Sequence, residues 1–258
     1  MAKNYFDLTG QVAIVTGCST GLGVQMAKAL ANQGANIVCI ARRQEMIDAN
    51  AKEIAEEFGV KTLAVRCDIT KTEMVAEAVK KVMDEFGRID ILVNNAGTGA
   101  VAPAEDITDA QFEGEFNTDL FGTFKFAREV AKQAMLPAGY GRIINIASMY
   151  GLVGNKALGS APYHAAKGGV VNLTRALAGE WGKKGITVNA ICPGYFYTPL
   201  TVETLNSPFF QENARWMIPM ERYGNEGELD PAVIFLAAPA SSYVNGIMVP
   251  VDGGYTCI

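Results

Sequence analysis

Histidine is almost missing from this chain: among 258 residues, His164 stands alone. Any within-chain scheme that needs two histidines is therefore excluded, and triads built on histidine have thin support. Cysteine occurs five times, at Cys18, Cys39, Cys67, Cys192 and Cys257, an odd number without a C-x-x-C pair. Neither a disulfide framework nor a zinc site is indicated, and buried or loop thiols are expected. No segment approaches eighteen uncharged apolar residues, and Met1–Gly10 holds Lys3 and Asp7 without an apolar run of signal-peptide length. The expectation is a soluble cytoplasmic protein with no membrane partner. Positive charge is short as well: 22 Lys and Arg against 27 Asp and Glu leave a net charge of -5, which argues against nucleic acid as a partner.

What is present is apolar and periodic. A hydrophobic content of 49% over 258 residues suffices for a sizeable core, and residues 1–258 are expected to form a single domain without an internal repeat or linker. Short apolar runs predict strands near Val12–Thr16, Ile37–Ile40, Thr62–Arg66, Ile91–Asn94, Arg142–Ala147, Thr187–Ile191 and Met248–Val251. Between them Lys71–Phe86 carries Met74, Val75, Ala78, Val79, Val82 and Phe86 on one helical stripe. Near-continuous rather than alternating runs suit a parallel sheet covered on both faces, so the fold class is α/β, a Rossmann-type doubly wound sheet of about seven strands. Ligands of such sheets sit beyond the carboxyl ends of the strands.

The loop after the first run reads Thr16-Gly17-Cys18-Ser19-Thr20-Gly21-Leu22-Gly23, ahead of a helix with Met26, Ala27 and Leu30 inward. Its glycines allow a tight turn and close approach of a diphosphate, while the N–H groups and dipole of the helix start attract negative charge. An ordinary glycine-rich turn is the bland alternative. Tyr163 and Lys167 lie four apart, so on a helix they leave one face and share a site. A tyrosine with an ordinary pKa of ~10 is expected to fall towards working pH beside an ammonium, and a poised phenol can give or take an alcohol's proton. A surface helix pair is the bland alternative here, and His164, about 100° further round, is expected to be structural.

The T-G-x-x-x-G-x-G spacing resembles the short-chain dehydrogenase/reductase family. Asp68, Asn94-Asn95-Ala96-Gly97, Ser148, Tyr163-x-x-x-Lys167, Pro193-Gly194 and Asp252-Gly253-Gly254 follow in that family's order over nearly the whole chain. The resemblance implies a nicotinamide-dependent oxidoreductase that interconverts a secondary alcohol and a ketone. It implies cofactor contacts at Gly17, Ser19, Thr20, Gly21, Leu22, Gly23, Asp68, Ile69, Asn95, Ala96, Gly97, Tyr163, Lys167, Pro193, Gly194, Phe196 and Thr198. It implies Tyr163, Lys167 and Ser148 as catalytic residues, Ser148 bonding the substrate oxygen and Lys167 the nicotinamide ribose.

The second run ends in Ala41-Arg42-Arg43, with no acidic residue to accept from the adenosine ribose and repel a 2′-phosphate. In the family this implies NADP rather than NAD, with Arg42 the principal contact, unless both arginines only solvate a helix start. The family pattern N-L-x-G-x-F reads Asp119-Leu120-Phe121-Gly122-Thr123-Phe124 here. By resemblance Asp119 joins a proton relay behind Lys167 and its carboxylate favours the ammonium; a helical aspartate without a catalytic part is the alternative.

The chain looks most like the gluconate 5-dehydrogenases and related sugar-acid or polyol dehydrogenases of that family. The arginines many of them carry after Asn-Asn-Ala-Gly are replaced by Thr98-Gly99-Ala100-Val101-Ala102-Pro103, which leaves a neutral sugar, a polyol or an apolar ketone such as a steroid open. Segment 199–218, with Phe209, Phe210 and Trp216, is expected to cover the substrate unless its aromatics only pack helices. A homodimer or homotetramer is implied, and a non-catalytic NADP-binding sensor on the same fold is the reading of another class.

Overall fold

A computed structural model describes residues 4–99, 101–156, 159–199 and 201–257. Seven strands alternate with helices: β1 (Val12–Thr16), α1 (Leu22–Asn32), β2 (Asn36–Ala41), α2 (Gln44–Phe58), β3 (Thr62–Arg66), α3 (Thr72–Phe86) and β4 (Ile91–Asn94) form the first half. The second half holds α4 (Asp109–Glu115), α5 (Thr123–Val130), α6 (Leu136–Ala138), β5 (Gly141–Ile146), α7 (Ala161–Trp181), β6 (Ile186–Pro193), α8 (Val202–Leu205), α9 (Pro208–Met217), α10 (Asp230–Ala237) and β7 (Met248–Val251). All neighbours pair in parallel, in the order β3-β2-β1-β4-β5-β6-β7. Each expected strand is present, with β2 and β6 one to two residues longer at their ends and β5 shifted by one. The expected α/β doubly wound sheet is the observed one.

Strand residues alternate between two cores because successive side chains point to opposite faces. Ala13, Val15, Ile37, Cys39, Ile91 and Val93 face one core with Met26, Leu30 and Leu236. Val12, Ile14, Val38, Ile40 and Leu92 face the other with Val75, Val79, Val82 and Phe126. The α3 stripe is seated as its periodicity requires, Val75, Ala78, Val79 and Val82 being buried.

The strand order reverses between β1 and β4, and the ends of these two strands are joined by one side chain. The Thr16 hydroxyl accepts from the N–H groups of Asn95 (3.0 Å) and Ala96 (3.1 Å), and Asn95 Nδ2 donates back to the Thr16 carbonyl (3.0 Å). A crevice opens at this reversal, where open α/β sheets place their ligands.

The helix that begins at α4 is irregular. Thr108 caps it through a capping box, its Oγ1 accepting from Gln111 N (3.3 Å) while Gln111 Oε1 accepts from Thr108 N (2.9 Å). Between α4 and α5 the turn widens to a π-helix over Phe116–Gly122, which contains Asp119. Such turns concentrate at functional sites, and this one seats Asp119 fully buried against α7.

Candidate active site

The crevice at the strand reversal has a volume of about 810 Å³ and runs from Arg42 and Arg43 at one end to Ser148, Tyr163 and Lys167 at the other. Every cofactor contact and catalytic residue expected from the sequence lines it, except Gly23. Gly23 lies behind the lining, where a Cβ would fall 2.5 Å from the Gly17 carbonyl oxygen and 2.6 Å from Asn95 Nδ2. The missing side chain lets α1 pack onto the loop. Gly17 has φ +68° and the same crowding, its Cβ position lying 2.8 Å from Asn95 Nδ2, so both the turn and the approach demand glycine.

The crevice fits a dinucleotide by its own chemistry. No side chain caps the N-terminus of α1 and its first turn holds no acidic residue, which leaves a helix start suited to a diphosphate. At the adenosine end Arg43 Nη2 donates to Ser19 Oγ (2.8 Å) and reaches Thr20 Oγ1 (3.5 Å), while Arg42 is exposed. Asp68 Oδ1 accepts from Thr70 N (3.0 Å) and Thr70 Oγ1 (2.8 Å). Burial works against the Asp68 charge, but these bonds and the nearby Arg42 and Lys71 hold its carboxyl below the ordinary value.

At the other end, β5 delivers Ser148 and α7 delivers Tyr163 and Lys167 on one face. Ser148 Oγ accepts from Tyr150 N (3.1 Å), and its O–H is turned to the Tyr163 phenol. Lys167 is buried; its Nζ donates to the Ile146 carbonyl (3.0 Å) and lies 3.1 Å from Asp119 Oδ2 and 5.5 Å from the centre of the Tyr163 ring. Asp119 Oδ1 in turn accepts from Thr98 N (2.8 Å). The side chain rather than the main chain of Asp119 faces Lys167, and its carbonyl accepts from Thr123 Oγ1 (2.7 Å).

These contacts correct the expectation that Tyr163 is lowered. Burial pushes its phenol up, the Lys167 ammonium and the Ser148 hydroxyl pull it down, and the Asp119 and Glu115 carboxylates push it up again, so it stands above its ordinary value. The pull of Lys167 has the expected sign but is opposed by carboxylates that the Y-x-x-x-K spacing does not disclose. Burial also works against the Lys167 charge, yet Asp119, Tyr163 and Glu115 carry the ammonium above its usual range.

Glu115 escaped the sequence reading although it is buried one helical turn before Asp119; a glutamate late in an amphipathic helix gives no signal of its own. Thr98 and Thr118 also line the crevice unforeseen, and Thr201 does so from the segment expected to cover the substrate. Thr201 Oγ1 donates to the Phe196 carbonyl (2.5 Å) and accepts from Thr198 N (3.0 Å), fixing the loop after β6. His164 is turned away, its Nδ1 bonding the Ser160 carbonyl (2.9 Å), its Nε2 at 3.0 Å from Asn155 Nδ2 and its ring stacked on Tyr150 at 4.4 Å.

Of segment 199–218, Pro199 and Thr201 line the crevice, and Leu205, Phe210 and Ile218 pack with Tyr150, Tyr195 and Tyr223. Phe209 and Trp216 project outward, Trp216 being 85% exposed. Ala100 and Leu200, which fall in stretches singled out by the sequence, lie outside the described residues.

A dinucleotide crevice ending on a buried Ser-Tyr-Lys group defines a class, and comparison with known proteins identifies it. A family model described as enoyl-(acyl carrier protein) reductase matches residues 17–256, and the chain belongs to the short-chain dehydrogenase/reductase family. It is 38% identical to gluconate 5-dehydrogenase of Gluconobacter oxydans over 97% of this chain and 96% of that protein. It is 36% identical to the L-tagatose-forming galactitol 2-dehydrogenase of Cereibacter sphaeroides over 98% of both. A crystal structure of a gluconate 5-dehydrogenase from Burkholderia cenocepacia in complex with NADP and tartrate superposes with a TM-score of 0.94 at 35% identity, covering 98% of each chain. Among the described residues no helix is long and apolar enough to cross a membrane.

Proposed function

We propose that this chain interconverts a secondary alcohol and a ketone with NADP(H), NAD being the alternative, on a sugar, sugar acid or polyol. The single observation that carries the reading is the convergence of Ser148, Tyr163 and buried Lys167 at the end of a crevice whose far end bears Arg42 and Arg43. A nicotinamide bound there supplies the hydride donor or acceptor. The residues of the chain do the rest. Arg42 and Arg43 present cations to a 2′-phosphate, and the uncapped start of α1 receives the diphosphate. Phe196 and Thr198, fixed through Thr201, orient the nicotinamide. Ser148, its oxygen already accepting from Tyr150 N, aims its proton at the substrate oxygen. Tyr163 gives a proton to that oxygen in reduction and takes it in oxidation. Lys167 stays charged through Asp119 and anchors the ribose.

Relatives named for gluconate and for galactitol support the substrate class, and the intact catalytic group weighs against a non-catalytic sensor. We further propose that residues 1–258 act as one catalytic domain with 199–218 as its substrate-covering segment, in the cytoplasm and as a homodimer or homotetramer. Phe112, Phe121 and Phe124, each more than a third exposed around the π-helical turn, support self-association, and light scattering measures it.

The test is Tyr163→Phe assayed against a panel of polyols, sugar acids and ketones. The variant is expected to lose about 10³-fold or more in kcat while its affinity for NADP, read by fluorescence titration, stays within about twofold of the wild type. Retained turnover would remove Tyr163 from the reaction.

A further inference from the structure

The charge on Lys167 helps a neighbouring phenol to lose its proton, and in this structure a buried carboxylate opposes that charge. The ammonium and the Asp119 carboxylate are 3.1 Å apart with side-chain exposures of 5% and 0%. A buried pair of opposite charges acts at a distance as a dipole, whose field falls off more steeply than that of one cation. Asp119 is itself held in place: Thr98 N donates to its Oδ1, and the π-helical turn fixes its backbone. Glu115, buried one turn earlier, adds a second carboxylate on the same side. The remaining neighbours of the phenol are the Ser148 hydroxyl from the end of β5 and the Tyr150 ring, edge-on at 6.5 Å. Cys192 of β6 sits close enough to Lys167 to feel its charge. Of this set only the Ser148 hydroxyl works with Lys167 in lowering the phenol.

We infer that Asp119 is a positioning residue that weakens the field of Lys167 at Tyr163 and thereby places the pH limbs of reduction and oxidation further into the alkaline range than Lys167 alone would. The inference rests on the reaction proposed above and adds to it the residue that sets where those limbs fall. In reduction the carbonyl carbon gains a hydride from the reduced nicotinamide and the C=O π pair moves to oxygen. That oxygen takes the Tyr163 proton, so the ketone is reduced, the nicotinamide oxidised, and the phenolate is reprotonated from solvent. Oxidation must begin from the phenolate, which these surroundings disfavour.

The experiment compares wild type, Asp119→Asn and Glu115→Gln in pH profiles of kcat/KM in both directions. Wild-type reduction is expected to be flat through neutral pH and to fall only in the alkaline range, where oxidation rises. Asp119→Asn moves both limbs towards lower pH by about one unit, and Glu115→Gln moves them the same way by less. A uniform loss of rate with unmoved limbs, the mark of a merely structural role, overturns the inference. A second readout needs no turnover: the ultraviolet tyrosinate signal of each protein minus that of its Tyr163→Phe partner isolates Tyr163. Its ionisation is expected in the alkaline range for the wild type and about one pH unit lower for Asp119→Asn. Ionisation at neutral pH in the wild type, or no change in the variant, overturns the inference. If the absorbance shift occurs but no ketone is reduced, the proposed reaction fails while the charge coupling stands.

Discussion

The hydroxyls of Tyr150 and Tyr195 are hydrogen-bonded to each other inside an aromatic cluster, with the two rings edge-on at 6.2 Å. Both residues are buried, and the same Tyr150 ring touches Tyr163 and His164. Burial pushes both phenols up, Tyr195 to about 12, so neither ionises in the working range of the site. The pair is a neutral brace between the strand ends and Tyr163.

Tyr195→Phe removes one partner from that brace and leaves the buried Tyr150 hydroxyl with Tyr255 as its remaining phenolic partner. The expected cost is about 1–3 kcal/mol, measured by denaturant unfolding, with the Tyr150→Phe/Tyr195→Phe double variant recovering most of it because no buried hydroxyl is then stranded. A double variant less stable than Tyr195→Phe alone would contradict the brace.

Two glycines offer opposite expectations from the same substitution. Gly23→Ala forces a methyl to within 2.5 Å of the Gly17 carbonyl, and about 1–3 kcal/mol of stability is expected to be lost through overpacking, together with affinity for the dinucleotide. Gly179 lies exposed within α7 with no heavy atom near its Cβ position, so Gly179→Ala is expected to add about 0.5–1 kcal/mol. Calorimetry of the two variants, with NADP titrations, checks both signs.

Arg42→Asp places an acid at the end of β2, where it accepts from a ribose hydroxyl and repels a 2′-phosphate. The ratio of kcat/KM with NADP to that with NAD is expected to fall by at least about tenfold, the value of one charge-assisted contact. An unmoved ratio would shift the assignment to Arg43, which already bonds Ser19.

Asp230, at the start of α10, carries a pH effect on stability. Burial and the Glu226 carboxylate raise its carboxyl from 3.8 to about 6, so the folded chain binds this proton more tightly than the unfolded one. The contribution of Asp230 is favourable at low pH and is lost as pH rises from about 4 to about 6. Asp230→Asn is therefore expected to gain melting temperature over the wild type above pH ~6 and to match it near pH ~4; a difference that does not vary with pH would refute the coupling.

Much of this was legible in the sequence. Runs such as Val12–Thr16 read as strands because a sheet covered on both faces buries consecutive residues, and β1 is buried throughout. Tyr163 and Lys167 declared a shared site because a helix brings positions four apart together. The crowding at Gly23 was not legible, because a ligand-approach glycine and a packing glycine are the same letter and only the position of Asn95 shows it. The direction of the Tyr163 shift was misread because it depends first on burial of the phenol, which the i+4 spacing does not disclose, and then on Asp119 and Glu115, which reach the site from another helix through a π-helical turn that no simple periodicity announces.

The Thr16 hydroxyl, shared between the N–H groups of Asn95 and Ala96, has a consequence for how ligands arrive. It carries the link between the two halves of the sheet past their last strand pair, Val15 opposite Val93, so the spacing of the crevice floor is set before any nucleotide enters. A dinucleotide then meets a gauge of fixed width and spends little of its binding energy on ordering the floor. At the rim, Pro199, Thr201 and the helices that follow them stand outside that tie.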